Sequence, residues 1–169
     1  MPANINWTVD YKDRNKFIFG GTVMVGYDAQ ELWKLLASSG HLMKVHPFCE
    51  QHDSEKWEGV GSKDVLVYKS GGKRIRTVTQ WKQGQFLQLN VVDPSNNTQS
   101  EVSYTIRTLE EKGACELHIE IQTAAYKNIP RPIWKFYVRR FLLRKYREYL
   151  QGVLSGFANY KPIAQSTIN

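Results

Sequence analysis

Alternation dominates the middle of the chain. Val102, Tyr104 and Ile106 alternate with Ser103, Thr105 and Arg107, and Leu117, Ile119 and Ile121 alternate with Glu116, His118 and Glu120. A period of two is that of a strand with one covered and one wet face. The same reading predicts strands over Phe48–Trp57, Asp64–Lys69, Arg74–Lys82, Phe86–Asp93, Glu101–Leu109 and Cys115–Ala125. Connections such as Ser70-Gly71-Gly72-Lys73 and Gln83-Gly84-Gln85 are short, so neighbouring strands run antiparallel. An earlier strand, Phe17–Val25, puts Phe17, Phe19, Val23 and Val25 on one side, and Gly20 with Gly21 predicts a kink or bulge inside it.

The period then changes to that of helices. Asp28-Ala29-Gln30-Glu31 has the spacing of a capping box and opens a helix that runs through Leu36. His41 to His46 forms a second short turn, closed by Pro47 because a residue before proline disfavours the helical region. Pro130 and Pro132 open the last element, a helix predicted over Arg131–Tyr160. At 100° per residue, Val138, Leu142, Tyr149, Val153 and Tyr160 share a line predicted to face the sheet, while Arg140, Arg144, Arg147, Gln151 and Ser155 face solvent.

Composition adds limits. The chain has 169 residues, 41% hydrophobic and 23% charged, without repeats or low-complexity linkers, which predicts one globular domain. No run approaches the roughly 18 apolar residues of a membrane-spanning helix. Met1 to Trp7 has neither the basic region nor the apolar run of a secretion signal, so a cytoplasmic location is expected. Cys49 and Cys115, the only cysteines, cannot build a disulfide framework or a paired thiolate metal site. The net charge of +7 is strongly localised. Residues 1–129 hold 15 basic against 15 acidic side chains, and residues 130–169 hold eight basic ones against Glu148 alone.

The order of strand, two short helices, six antiparallel strands and long terminal helix resembles the helix-grip fold of the START-like and birch-pollen-allergen-like (SRPBCC) superfamily, and within it the polyketide cyclase/dehydrase and lipid-transport group. The resemblance is carried by the first strand running into Asp28 to Leu36, the break at His46-Pro47-Phe48, Gly59-Val60-Gly61-Ser62, Val78-Thr79-Gln80-Trp81, and Tyr149 to Phe157. Where that group commonly has acids near Trp81, this chain has Gln80 and Lys82, so no catalytic carboxylate is expected there. The resemblance implies an α+β fold in which a curved antiparallel seven-stranded sheet wraps around the C-terminal helix. Residues 1–16 would form an extension, 17–160 the ligand-binding domain and 161–169 a tail. It also implies a cavity between sheet and helix for an apolar or aromatic small molecule; with the basic helix at its mouth, the expected ligand is a hydrophobic or amphipathic, anionic small molecule or lipid, held by a carrier or sensor.

Candidate lining residues follow from the inward phase of each strand. They are Tyr68, Trp81 and Leu89, then Tyr104, Ile106, Leu117 and Ile119. From the helix come Val138, Phe141 and Leu142, with Lys135 and Arg139 at the mouth to attract an anionic group. His46 is the best candidate for proton transfer. His46, Cys49 and His52 are spaced by three, but in a regular strand Cys49 and His52 face opposite ways, so no metal site is expected. His118, between Glu116 and Glu120, falls on the polar face. No nucleophile elbow, zinc-protease helix, P-loop or dinucleotide fingerprint is present, and no cofactor is called for. The remaining enzymatic reading is a metal-free cyclase or dehydratase using His46, Tyr68 or Tyr104. A third reading is a membrane-surface or protein-interaction module built on the basic helix. Nucleic-acid binding would use Arg140, Arg144 and Arg147, but no familiar reading module accompanies them.

Overall fold

The structure, a computed structural model, describes residues 3–10, 16–110, 113–124, 133, 137 and 139–162. Eight strands form one antiparallel sheet: β1 (Ile5–Asp10), β2 (Lys16–Val25), β3 (Cys49–Lys56), β4 (Lys63–Tyr68), β5 (Lys73–Lys82), β6 (Phe86–Asp93), β7 (Thr98–Thr108) and β8 (Cys115–Ala124). Their spatial order is β1-β2-β8-β7-β6-β5-β4-β3. Helices α1 (Ala29–Leu36) and α2 (Leu42–Val45) carry the chain from β2 to β3 at the far edge, and α3 (Arg139–Asn159) crosses the face between them.

Registers fix which side chains share that face. Leu89 pairs with Val102, which pairs with Ile121, and Leu87 pairs with Tyr104, which pairs with Ile119. On α3, Leu142, Leu150, Val153, Leu154 and Phe157 are buried against the sheet. At the other end of the fold, Trp57 donates its indole N–H to Leu36 O at 2.9 Å and Trp81 stands edge-on to Trp33, which ties α1 across the sheet. Asp28 caps α1 by accepting the Glu31 N–H at 2.8 Å, as the capping-box spacing predicts.

Three details differ from the sequence reading. Ile5–Asp10, expected to be an extension, is an edge strand paired with Ile18 to Val23, so the sheet has eight strands. The bulge offered as one reading of Gly20 and Gly21 does not occur, because β2 pairs with β8 without interruption from Lys16 to Val25. Gly21 serves a close approach instead: a Cβ there would lie 2.8 Å from Leu154 Cδ1. Register shifts occur elsewhere, in β3 between Cys49 and Gln51 and between Ser54 and Lys56, and in β5 between Val78 and Gln80; the first is a bulge that matters for the site. That extra residue brings Cys49 onto the same buried side as His52, where a regular strand would part them. The long helix makes its own close contact at Gly156, where a Cβ would overlap Val45 O, so only glycine lets α2 pack there. The part of the predicted helix spanning residues 131–138 lies, except for 133 and 137, outside the described residues.

Candidate functional site

Under β4 to β7, sheet and helix do not close. An open cleft of about 780 Å³ lies between the N-terminal half of α3, from Lys145 to Tyr149, and the concave face of the sheet. Val91, Val102, Ile121, Phe48 and Tyr146 supply apolar wall, and Lys69, Arg74 and Lys145 stand at its sides. The Arg74 guanidinium lies over the Tyr68 ring and pairs with Asp93 at 2.8 Å. Tyr68, Val91, Val102, Ile121 and Tyr149 also line a smaller space of about 40 Å³, which His46, Arg76 and Tyr104 border.

The inward phase of β4 and β5 explains the polar end. Asp64, Leu66 and Tyr68 alternate with outward residues, as do Arg74, Arg76 and Val78, so a carboxylate and a cation are carried into the fold with the apolar side chains. Arg76 donates through Nε to Asp64 Oδ1 at 2.8 Å and through Nη2 to Oδ2. His52 Nε2 reaches the same Oδ2 at 2.7 Å, and its Nδ1 accepts the Leu42 N–H at 3.3 Å. An accepting Nδ1 places the proton on Nε2, so His52 and Arg76 are two donors sharing one carboxylate. Burial pushes the Asp64 carboxyl up, but these hydrogen bonds and the Arg76 charge hold it below its ordinary value. Burial likewise opposes the Arg76 charge, yet Asp64 holds the guanidinium more firmly protonated than usual.

A second group of polar side chains meets beside it. His46 Nε2 and the Tyr149 hydroxyl are 2.8 Å apart, and the Tyr149 and Tyr68 hydroxyls 3.1 Å. Burial, helped by the Arg76 charge, lowers His46 to about 4. Burial and the Tyr68 hydroxyl push Tyr149 well above the usual tyrosine value. Burial also raises Tyr104, against the pull of Arg76. His46 Nδ1 and His41 Nε2 are buried without a hydrogen-bond partner among the described residues. Burial lowers His41 to about 3. Among the described residues, no group of three or more His, Cys, Asp or Glu side chains is placed to hold a metal.

The sequence candidates distribute unevenly. Tyr68 lines both spaces, and Tyr104, Ile119 and His46 border the inner one. Leu89, Ile106 and Leu117 are buried in the packed core, and Trp81 packs between Trp33 and Trp57. Leu142 is buried as expected, whereas Phe141 is 65% exposed: it lies about 100° around the helix from Leu142, outside the sheet-facing arc. Arg139 is half-buried at the start of α3, and Lys135 and Val138 lie outside the described residues. His118 is half-buried and bonds to Thr22 at 2.9 Å. The residues missed are Arg76, Asp64, Tyr149 and the wall residues Val91, Val102 and Ile121. Charges in phase with apolar neighbours on β4 and β5 are the signal that points to Asp64 and Arg76.

This architecture, an antiparallel sheet closed by a long C-terminal helix with short helices after the first long strand, is the START and birch-pollen-allergen-like helix-grip fold. Solved structures with this fold include norcoclaurine synthase from Thalictrum flavum in complex with dopamine and hydroxybenzaldehyde. It is 9% identical, with 88% of this chain and 90% of that one covered and a TM-score of 0.59. Ara h 8.0201 is 8% identical over 86% of this chain and 97% of its own, with a TM-score of 0.62. A START superfamily protein from Mycobacterium smegmatis is 15% identical over 82% and 97%, with a TM-score of 0.55. No known family's sequence profile matches the chain, and no curated protein matches its sequence. Among the described residues no helix is long and apolar enough to cross a membrane.

Proposed function

We propose that the protein binds an amphipathic small molecule or lipid with an anionic group in the cleft beneath β4 to β7, and that it acts as a carrier or sensor of that molecule. The observation that carries this reading is the lining of the cleft. Its volume is within the roughly 300–1,000 Å³ of ligand sites, its walls are mainly apolar, and cationic side chains from Lys69, Arg74 and Lys145 flank it. The inner end offers the Tyr68 and Tyr149 hydroxyls and the Arg76 guanidinium as fixed polar contacts. An apolar body with one acidic end matches a mainly apolar wall with the exposed Lys69 and Lys145 at its rim.

Solvent extraction and native mass spectrometry of the purified protein, followed by thermal shift with long-chain carboxylates and aromatic acids, test the reading. A ligand present at 100 times its Kd adds about 2.7 kcal/mol, or roughly 5–10 °C in Tm at this size. The neutral alcohols of the same skeletons should give a smaller shift. No extracted ligand together with no shift for any acid overturns it.

Catalysis of the cyclase or dehydratase kind is the second reading, favoured by the hydroxyl chain from His46 through Tyr149 to Tyr68 at the inner end of the cleft. With His46 lowered to about 4, its neutral ring is a weak base that orients a tyrosine more readily than it abstracts a proton. Unchanged turnover in His46→Ala, on any substrate found, removes it from that role.

A further inference from the structure

Before and at the basic start of α3, apolar side chains stay in solvent. Phe141 is 65% exposed, Tyr137 74% and Ile133 47%. The three are spaced by four residues along the chain, and Phe141 lies in the first turn of α3. Phe141 also precedes Lys145 by four, and Lys145 and Glu148 line the cleft. Phe141 therefore prolongs the helix stripe along which the cleft opens. Arg140, Arg144 and Lys145 lie beside it, all exposed. Glu148 is the only acid after residue 129, and its pair with Arg144 is itself exposed, so it offsets little of the charge.

From this juxtaposition we infer that these exposed apolar and basic side chains form a docking surface for an anionic lipid bilayer. Ile133, Tyr137 and Phe141 enter the boundary between headgroups and acyl chains while Arg140, Arg144 and Lys145 meet lipid phosphates. An aromatic and aliphatic edge flanked by arginine and lysine is the composition of segments that lie in a membrane interface, and anionic lipid adds attraction for each cation near its surface. Charge complementarity selects the bilayer over the alternatives. A second copy docked through the same face would bring cation against cation. A nucleic acid would use the arginines but gives no partner to Ile133. Docking of this kind turns the mouth of the cleft toward the lipid. The surface itself stands on exposure and charge, so it holds or fails independently of what fills the cleft.

Vesicle sedimentation with the full chain tests it, comparing phosphatidylcholine vesicles with vesicles containing about 30% phosphatidylserine. The expected result is at least about tenfold tighter binding to the anionic vesicles, lost near 0.5 M salt where screening is short-ranged. Phe141→Asp should weaken that binding about tenfold with an unchanged Tm, since the side chain is exposed. Arg140→Glu combined with Arg144→Glu should do the same. Absence of binding to anionic vesicles, or binding that Phe141→Asp leaves intact, overturns the inference. So does light scattering that reveals a dimer dissociated by Phe141→Asp, which would assign the surface to a second copy.

Discussion

The concave face has two halves that share one pleat and end differently. Under β2 and β8, Phe17, Phe19, Leu117 and Ile119 meet Leu150, Leu154 and Phe157, and each is at most 1% exposed. Under β4 and β5 the same phase carries Asp64, Tyr68, Arg74 and Arg76, opposite Tyr149 of the helix, and there the cleft opens. Aliphatic chains have no directional demands and interdigitate to interior density. A guanidinium needs its donors matched in a plane, and a tyrosine hydroxyl needs a partner, so such side chains stand upright and leave space between them. Inward charged and hydroxyl-bearing side chains accompany the part of this face that stays open, and the part without them packs shut.

Four measurements can break that contrast or sharpen it. Asp64→Ala should cost the most, about 3–5 kcal/mol in urea unfolding, because it strands the buried Arg76 cation. Asp64→Leu combined with Arg76→Met should recover most of that loss if the pair exists for function. A single-variant cost below about 1 kcal/mol would show that the polar half carries no stability. Leu154→Ala should cost about 3 kcal/mol, since Leu154 is fully buried over Gly21. It should leave uptake by the cleft unchanged, and a parallel loss of uptake would merge the two halves.

Acid should act on the polar half first. The folded values of His46 and His41, about 4 and about 3, lie below the ordinary 6.5. The unfolded chain therefore binds more protons, and stability falls as pH drops below about 6.5 toward those folded values. Between pH 7 and pH 5 the loss from His46 is about 1–2 kcal/mol, readable as a lower urea midpoint. His46→Gln should flatten that slope, and a slope unaffected by it would place the acid sensitivity elsewhere. Tyr149→Phe, the mildest change, should cost about 1 kcal/mol, because it removes the hydroxyl shared by His46 and Tyr68. Its thermal unfolding should match wild type if that hydroxyl is satisfied equally well by water.

The fold was largely legible because alternation and short connections specify antiparallel strands. Phe86–Asp93 begins and ends as the pattern predicts, and the other predicted strands shift by at most a few residues. Strand β1 was missed although Ile5, Trp7 and Val9 alternate, because an edge strand pairs on one side only and its short pattern carries little apolar weight. The site was less legible. Periodicity located Tyr68, Tyr104 and Ile119 on the inner face, but depth along a strand decides between core and cleft, and periodicity carries no depth. Leu89 and Val91 share a strand and a face, yet only Val91 reaches the open space. The rotation of α3 that exposes Phe141 is set by contacts made at its other end, through Leu150, Leu154 and Phe157.

The pairing of β2 with β8 also sets a schedule. Val25 meets Cys115 and Lys16 meets Ala124, so β2 leaves the ribosome about 100 residues before its inner neighbour exists. At roughly 5–20 residues per second, that is a wait of about 5–20 s with Phe17, Phe19 and Val23 uncovered on a nascent chain. Pairing over such a separation also pays its loop-closure entropy before any contact repays it. The protein should accordingly fold late and slowly during synthesis, and β2 is the segment that a holding chaperone would meet.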